Sequence, residues 1–175
     1  MDKPRNDNQG IVLPSAFKYT LRMLEFLQPY LAMRLAAFFF AKPFRHQFLE
    51  RETPVLSKAQ KSSVHIQGLD KSVFCYHWQG KGPKIMLMHG WSGRATNFFK
   101  IIEKLMLLDC DIYAFDAPAH GKSSGVTTNL PEFILTLDTL LNQWGPFEAV
   151  LGHSGGGFSS ACLLYTSPSP RDGLL

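Results

Sequence analysis

Ala149–Val150–Leu151–Gly152–His153–Ser154–Gly155–Gly156 sets a short apolar run against a turn of small residues with one serine at its centre. The run has the texture of a buried strand, and the residues after the turn read as a helix. A serine on a sharp strand-to-helix turn takes strained backbone angles, and flanking glycines let strand and helix close around it. Its hydroxyl then projects at the carboxyl end of the sheet. The N–H of Gly155 points to where a developing oxyanion sits, with the helix dipole adding to the attraction. A glycine turn holding a serine is common by itself, so the placement between strand and helix is what gives the pattern weight.

Working outward, Lys84–Met88 (KIMLM) and Asp111–Phe115 (DIYAF) are equally short and continuous apolar runs, as strands buried on both faces of a parallel sheet are. Between the three runs lie two helical stretches. Phe98, Ile102, Leu105 and Met106 share one face in the first. Phe133, Leu137, Leu140, Leu141 and Trp144 share one in the second, with Asn129 and Pro131 as start signals and Gly145–Pro146 as the stop. This β-α-β-α-β order predicts an α/β fold with an open parallel sheet and right-handed crossovers, whose ligands sit beyond the carboxyl ends of the strands. Ahead of it, Val64 and Ile66, then Val73, Cys75 and His77, alternate with their neighbours as an antiparallel pair does, with Gly80–Lys81–Gly82–Pro83 as the turn.

The N-terminal part reads as helix from Pro14 to Ala41, with Phe17, Leu21 and Leu24 at helical spacing, a split at Pro29 and an end at Pro43. Leu31–Ala41 is apolar nearly all round. It reads as a helix buried against the main domain or covering a site mouth. The alternative is an interfacial helix on a membrane surface, with Lys18, Arg22, Arg34, Lys42 and Arg45 at its edges, giving residues 15–45 a weak membrane contact. The run is about half the ~20 residues that span a bilayer, so no transmembrane segment is expected.

The composition is that of a globular protein: 175 residues, 45% hydrophobic and 18% charged. The net charge of +4 is spread without a basic run, which argues against a nucleic-acid partner. Cys75, Cys110 and Cys162 follow no metal-ligand spacing, and no metal or organic cofactor is implied. Cys75 and Cys110 fall in or beside strand runs, as buried structural thiols do. With no secretory signal at the start, the expectation is a reducing, cytoplasmic setting.

Two further loops follow the first two runs. His89–Gly90–Trp91–Ser92–Gly93 offers the N–H of Trp91 as a second oxyanion donor. Asp116–Ala117–Pro118–Ala119–His120–Gly121–Lys122–Ser123 holds an acid and a histidine. Asp116 and His120 are expected to stiffen this turn through side-chain to backbone hydrogen bonds, and His89 to bond within its own loop.

The three motifs, HGWSG, DAPAHGKS and GHSGG, in this order over residues 60–161, resemble the α/β-hydrolase superfamily. The resemblance implies Ser154 as nucleophile and Trp91 and Gly155 as oxyanion donors. His89, Gly90, Asp116, His120, Gly121, Gly152, His153 and Gly156 form the structural motif around them. It implies a small-molecule substrate with an ester, thioester or related acyl bond. Serine at position 154 argues against the branches that use aspartate there.

That family orders its triad as serine, then acid, then histidine. After Ser154 the chain holds one acid, Asp172, and no histidine. The stretch Cys162–Asp172 (CLLYTSPSPRD) resembles translated sequencing-adapter read-through. The expectation is therefore an α/β-hydrolase fold truncated after the strand that carries Ser154. It divides into an N-terminal helical extension (1–60), the first half of the hydrolase domain (61–161) and a non-native tail (162–175), and the fragment is inactive. The alternatives are a non-catalytic binding module of the same fold and a membrane-peripheral lipid hydrolase.

Overall fold

A computed structural model describes residues 14–166. The chain divides into two compact units, Met1–Phe40 and Ala41–Leu175. Compactness thus puts the division earlier than the 60/61 boundary read from composition. Residues 41–60 hold Glu52 and Val55, which are fully buried. The tail from residue 167 onward lies outside the described residues.

In the first unit, α1 (Ser15–Leu27) and α2 (Pro29–Ala41) follow one another across Gln28. Proline lacks the N–H and carries the fixed φ that suit a first helical position, so Pro29 ends one helix and opens the next. Phe17 and Phe39 meet edge to face at 5.6 Å between ring centroids.

The second unit begins with an extended segment, a short 3-10 turn (Glu50–Glu52) and α3 (Thr53–Leu56). A five-stranded sheet follows, made of β1 (Gln60–Ile66), β2 (Lys71–Trp78), β3 (Lys84–Met88), β4 (Asp111–Phe115) and β5 (Ala149–Gly152), in the order β1-β2-β4-β3-β5. The expected β-α-β-α-β core is present. Helix α4 (Phe99–Leu107) joins β3 to β4, α5 (Leu130–Trp144) joins β4 to β5, and α6 (Gly155–Thr166) follows β5. β3 is parallel to both β4 and β5, whereas β2 is antiparallel to β1 and β4. The hairpin turn falls at residues 67–70, where Gly68 and Asp70 have φ of 91° and 50°. Gly80–Pro83, read from sequence as the turn of that pair, instead carries the chain past β4 to β3, tied by Gly82 N–H to the Asp109 carbonyl at 2.7 Å.

β3 and β4 read as continuous apolar runs because both faces are covered; β5, expected to be equally buried, is an edge strand with Ala149 and Leu151 exposed. Ile85, Leu87, Ile112 and Ala114 pack with Tyr76, Trp78 and Ile102 of α4. Met86, Met88 and Phe115 pack on the other face with Cys75, with Phe133, Leu137 and Leu140 of α5, and with Leu163 of α6. Each such side chain taken fully from water contributes about 1.5–3 kcal/mol. Asn129 caps α5 by accepting from Glu132 N at 2.9 Å. Cys75 and Cys110 are buried, and burial pushes the Cys75 thiol up to about 12. In register, Met88 lies beside Phe115 on one side and Gly152 on the other. The loops that begin at His89, Asp116 and His153 therefore leave the sheet at one level.

Candidate active site

β5 ends at Gly152, α6 begins at Gly155, and Ser154 between them has φ of 51°. A left-handed conformation in a residue with a Cβ costs about 1–3 kcal/mol and persists only where surrounding bonds fix it. Here His153 N–H donates to the Met88 carbonyl at 3.0 Å, and Gly156 N–H and Phe158 N–H donate to His153 and Ser154 carbonyls at 2.9 Å each. The flanking glycines are needed for close approach. A Cβ on Gly156 would lie 2.3 Å from the Met88 carbonyl oxygen, and one on Gly152 would lie 2.5 Å from the Gly157 backbone. With both positions bare, α6 starts against β3 and leaves the exposed Ser154 at the tip of the turn.

The loop after β3 lies against this turn. A Cβ on Gly90 would meet the Ser154 Cβ at 2.9 Å, and one on Gly155 would lie 3.7 Å from the Trp91 nitrogen. The main chain at Trp91 and the first residue of α6 are thus immediate neighbours. They border a cleft of about 400 Å³ lined by Trp91, Asn97, Phe98, Ile101, His153 and Ser154.

Below the cleft the loops are joined by buried polar groups. The Asp116 carboxylate accepts from Ala95 N at 2.8 Å, Lys122 N at 2.9 Å and the Tyr76 hydroxyl at 3.2 Å. Burial pushes its pKa up, and those three donors and the Arg94 charge pull it back. Gly121 has φ of 45°, and a Cβ there would fall 2.1 Å from an Asp116 oxygen. His89 donates from Nδ1 to the Gly90 carbonyl at 2.7 Å and accepts at Nε2 from Ala117 N at 2.9 Å. His120 does the same with the Pro118 carbonyl at 3.0 Å and Ser92 N at 2.9 Å. A carbonyl only accepts and an N–H only donates, so both rings are neutral with the proton on Nδ1. Burial lowers both to about 4; for His120 the neighbouring His89 and, less, Arg45 add to it.

Sequence reasoning missed the segment before β1. Arg45, placed there at the edge of a candidate membrane-surface helix, instead donates to four carbonyls of the loop after β4: Ala119 at 3.0 Å, Gly121 at 3.3 Å, and Ser123 and Gly125 at 2.8 Å each. Phe44 N–H reaches Ser92 Oγ at 3.0 Å. Arg94 forms a two-pronged pair with Glu52 at 2.9 and 3.0 Å, and Thr96 Oγ1 donates to the same carboxylate at 2.6 Å. Glu52 and Arg94 are 1% and 4% exposed. No sequence signal links residues so far apart. Among the described residues no group of three acidic, histidine or cysteine side chains is placed to hold a metal ion.

Comparison with known proteins bears on this geometry. A family model described as the alpha/beta hydrolase fold matches residues 83–174. The serine hydrolase-like protein of Homo sapiens is 31% identical over 103 residues, covering 54% of this chain and 49% of that protein. Monoglyceride lipase of Rattus norvegicus is 26% identical over 123 residues, covering 63% and 41%. The chain thus spans about half, or less, of the curated relatives it matches. Among solved structures, an esterase from Pyrococcus furiosus aligns with a TM-score of 0.55 at 22% identity, covering 67% of this chain and 50% of that one. An epoxide hydrolase from Vigna radiata aligns at 0.56 and 15%, covering 63% and 37%. These structural likenesses are of fold.

Proposed function

The chain belongs to the α/β-hydrolase fold family, and on that premise we propose that its parent protein hydrolyses an ester, thioester or related acyl bond of a small molecule, with Ser154 as nucleophile. Ser154 Oγ bonds to the acyl carbon while its proton passes to a histidine. The carbonyl π electrons move onto oxygen, where the N–H groups of Trp91 and Gly155 receive the charge. Collapse breaks the bond to the leaving group, which takes the proton. Water then repeats the sequence to release the acid. The observation that carries this reading is the left-handed Ser154 at the strand–helix junction, with the Trp91 nitrogen beside Gly155.

His89 and His120 are not the proton acceptor, because both their ring nitrogens are held by main-chain groups. The acceptor and its orienting carboxylate are assigned to parts of the parent protein outside residues 14–166. The 175-residue chain should accordingly turn over slowly. The test is hydrolysis of p-nitrophenyl acyl esters by the parent protein and its Ser154→Ala variant. A loss of about 10³-fold or more is expected, in line with removal of a triad nucleophile. Undiminished activity in Ser154→Ala refutes the assignment, and fast turnover by the 175-residue chain refutes the placement of the base.

A second reading concerns α1 and α2. No described helix is long and apolar enough to cross a membrane. Yet α2 carries one charge, Arg34, and buries no residue, and α1 carries Lys18 and Arg22 beside a single acid, Glu25. An apolar surface rimmed by cations suits the interface of an anionic bilayer. Flotation with vesicles containing phosphatidylserine, weakened by salt and by Phe39→Asp, is the expected result; indifference to both overturns it.

A further inference from the structure

The loop after β4 turns through three left-handed residues, Ala119, Gly121 and Gly125, with φ of 64°, 45° and 101°. It is closed by Ala119 N–H on the Ser124 carbonyl at 2.8 Å. Such a path directs several carbonyls to one side. Those of residues 119, 121, 123 and 125 converge on the Arg45 guanidinium. Four converging carbonyl dipoles need a cation with donors fanned in a plane, which arginine has and lysine lacks. The same loop carries His120, whose Nε2 accepts the Ser92 N–H. Ser92 itself is left-handed at φ 54°, and its hydroxyl accepts from Phe44, the residue before Arg45. The Trp91–Ser92 peptide is therefore held from the His120 side and from the Phe44 side at once, and the preceding Gly90–Trp91 peptide, which carries the Trp91 N–H, is held at its carbonyl by His89 Nδ1.

We propose that Arg45 is a positioning residue for the oxyanion site: by closing the carbonyl ring of residues 119–125 it fixes His120 against Ser92 and so anchors the Trp91–Ser92 peptide, which adjoins the Gly90–Trp91 peptide whose N–H is the proposed donor. The role assigned to that N–H rests on the reading given under Proposed function; the placement of the loop does not. The groups that face His120 are His89, Asp116 and Arg45. Burial, the neighbouring His89 and, less, the Arg45 charge disfavour a second proton on His120, which keeps Nε2 an acceptor.

The test uses the 175-residue chain and its Arg45→Ala and Arg45→Lys variants, read by amide hydrogen exchange and by imidazole NMR titration. In Arg45→Ala the Ser92 amide should exchange about 10-fold faster or more, while Tyr113 and Ala114 in the central β3–β4 ladder keep their rates. The His120 titration should move upward. Arg45→Lys should keep the titration near its original position, because the charge remains, and restore protection only in part. Unchanged Ser92 exchange, or an equal rise at Ser92 and at the ladder amides in both variants, overturns the proposal. Exchange in Ser154→Ala should match the unsubstituted chain, so a failed hydrolase assignment is read separately from a failed positioning role.

Discussion

Acid should loosen the candidate site by charging His120. Its ring is fully buried and neutral, with Nε2 accepting from Ser92. A proton on Nε2 would set two donors face to face. The folded-state value lies at about 4 against an ordinary 6.5. At about 1.4 kcal/mol per pH unit, that gap amounts to about 3 kcal/mol. A lowered histidine contributes its stability in full above pH 6.5 and loses it as the pH falls toward 4. His89 lies 5.1 Å away, ring to ring, and shifts the same way, so the two titrate as a pair and their losses do not simply add. Asp116, raised by burial, works in the opposite direction, so the comparison with a variant is what isolates the imidazole. In His120→Gln the amide oxygen accepts from Ser92 and does not titrate. Urea unfolding of both proteins from pH 7.5 to 4.5 should show the parent losing more stability per pH unit, by at most about 1.4 kcal/mol. Parallel curves, or a parent that gains on the variant as pH falls, refute the argument.

Gly156→Ala should cost about 3 kcal/mol or more in chemical unfolding, since its Cβ meets two backbone carbonyls at 2.3 and 2.5 Å. Gly155→Ala, whose nearest contacts are 3.7 Å, should stay within about 1 kcal/mol of the parent. Glu52→Gln leaves Arg94 buried without its counter-charge and should destabilise by about 3 kcal/mol. The double change Glu52→Leu with Arg94→Met should recover part of that loss in the same assay, because it also removes the uncompensated charge.

What the sequence made legible is what repeats locally. The both-face burial of β3 and β4 shows in their unbroken apolar runs, the start of α5 in Asn129 and Pro131, and the sharp turn in the glycines around Ser154, whereas the equally apolar run of β5 lies half exposed at the sheet edge. Alternation marked β1 and β2 as a pair but could not say which strand β2 joins. Its place beside β4 depends on Cys75–Trp78 meeting Ile112–Phe115 across the chain. Arg45 and Glu52 were invisible for a related reason. Their partners are main-chain carbonyls and an arginine more than forty positions later, and a lone charge in an irregular stretch looks like any solvated one.

The way the segment before β1 is fastened bears on how this fold is cut. The family match begins at residue 83, and a polypeptide started there keeps all three glycine-bearing loops. It discards Tyr76, which reaches Asp116, along with the arginine under one loop and the glutamate under the other. Signature and folding unit are different lengths of chain. The stretch by which the domain is recognised is held in working shape by residues that recognition ignores, so the shortest piece that still folds should start no later than Ala41.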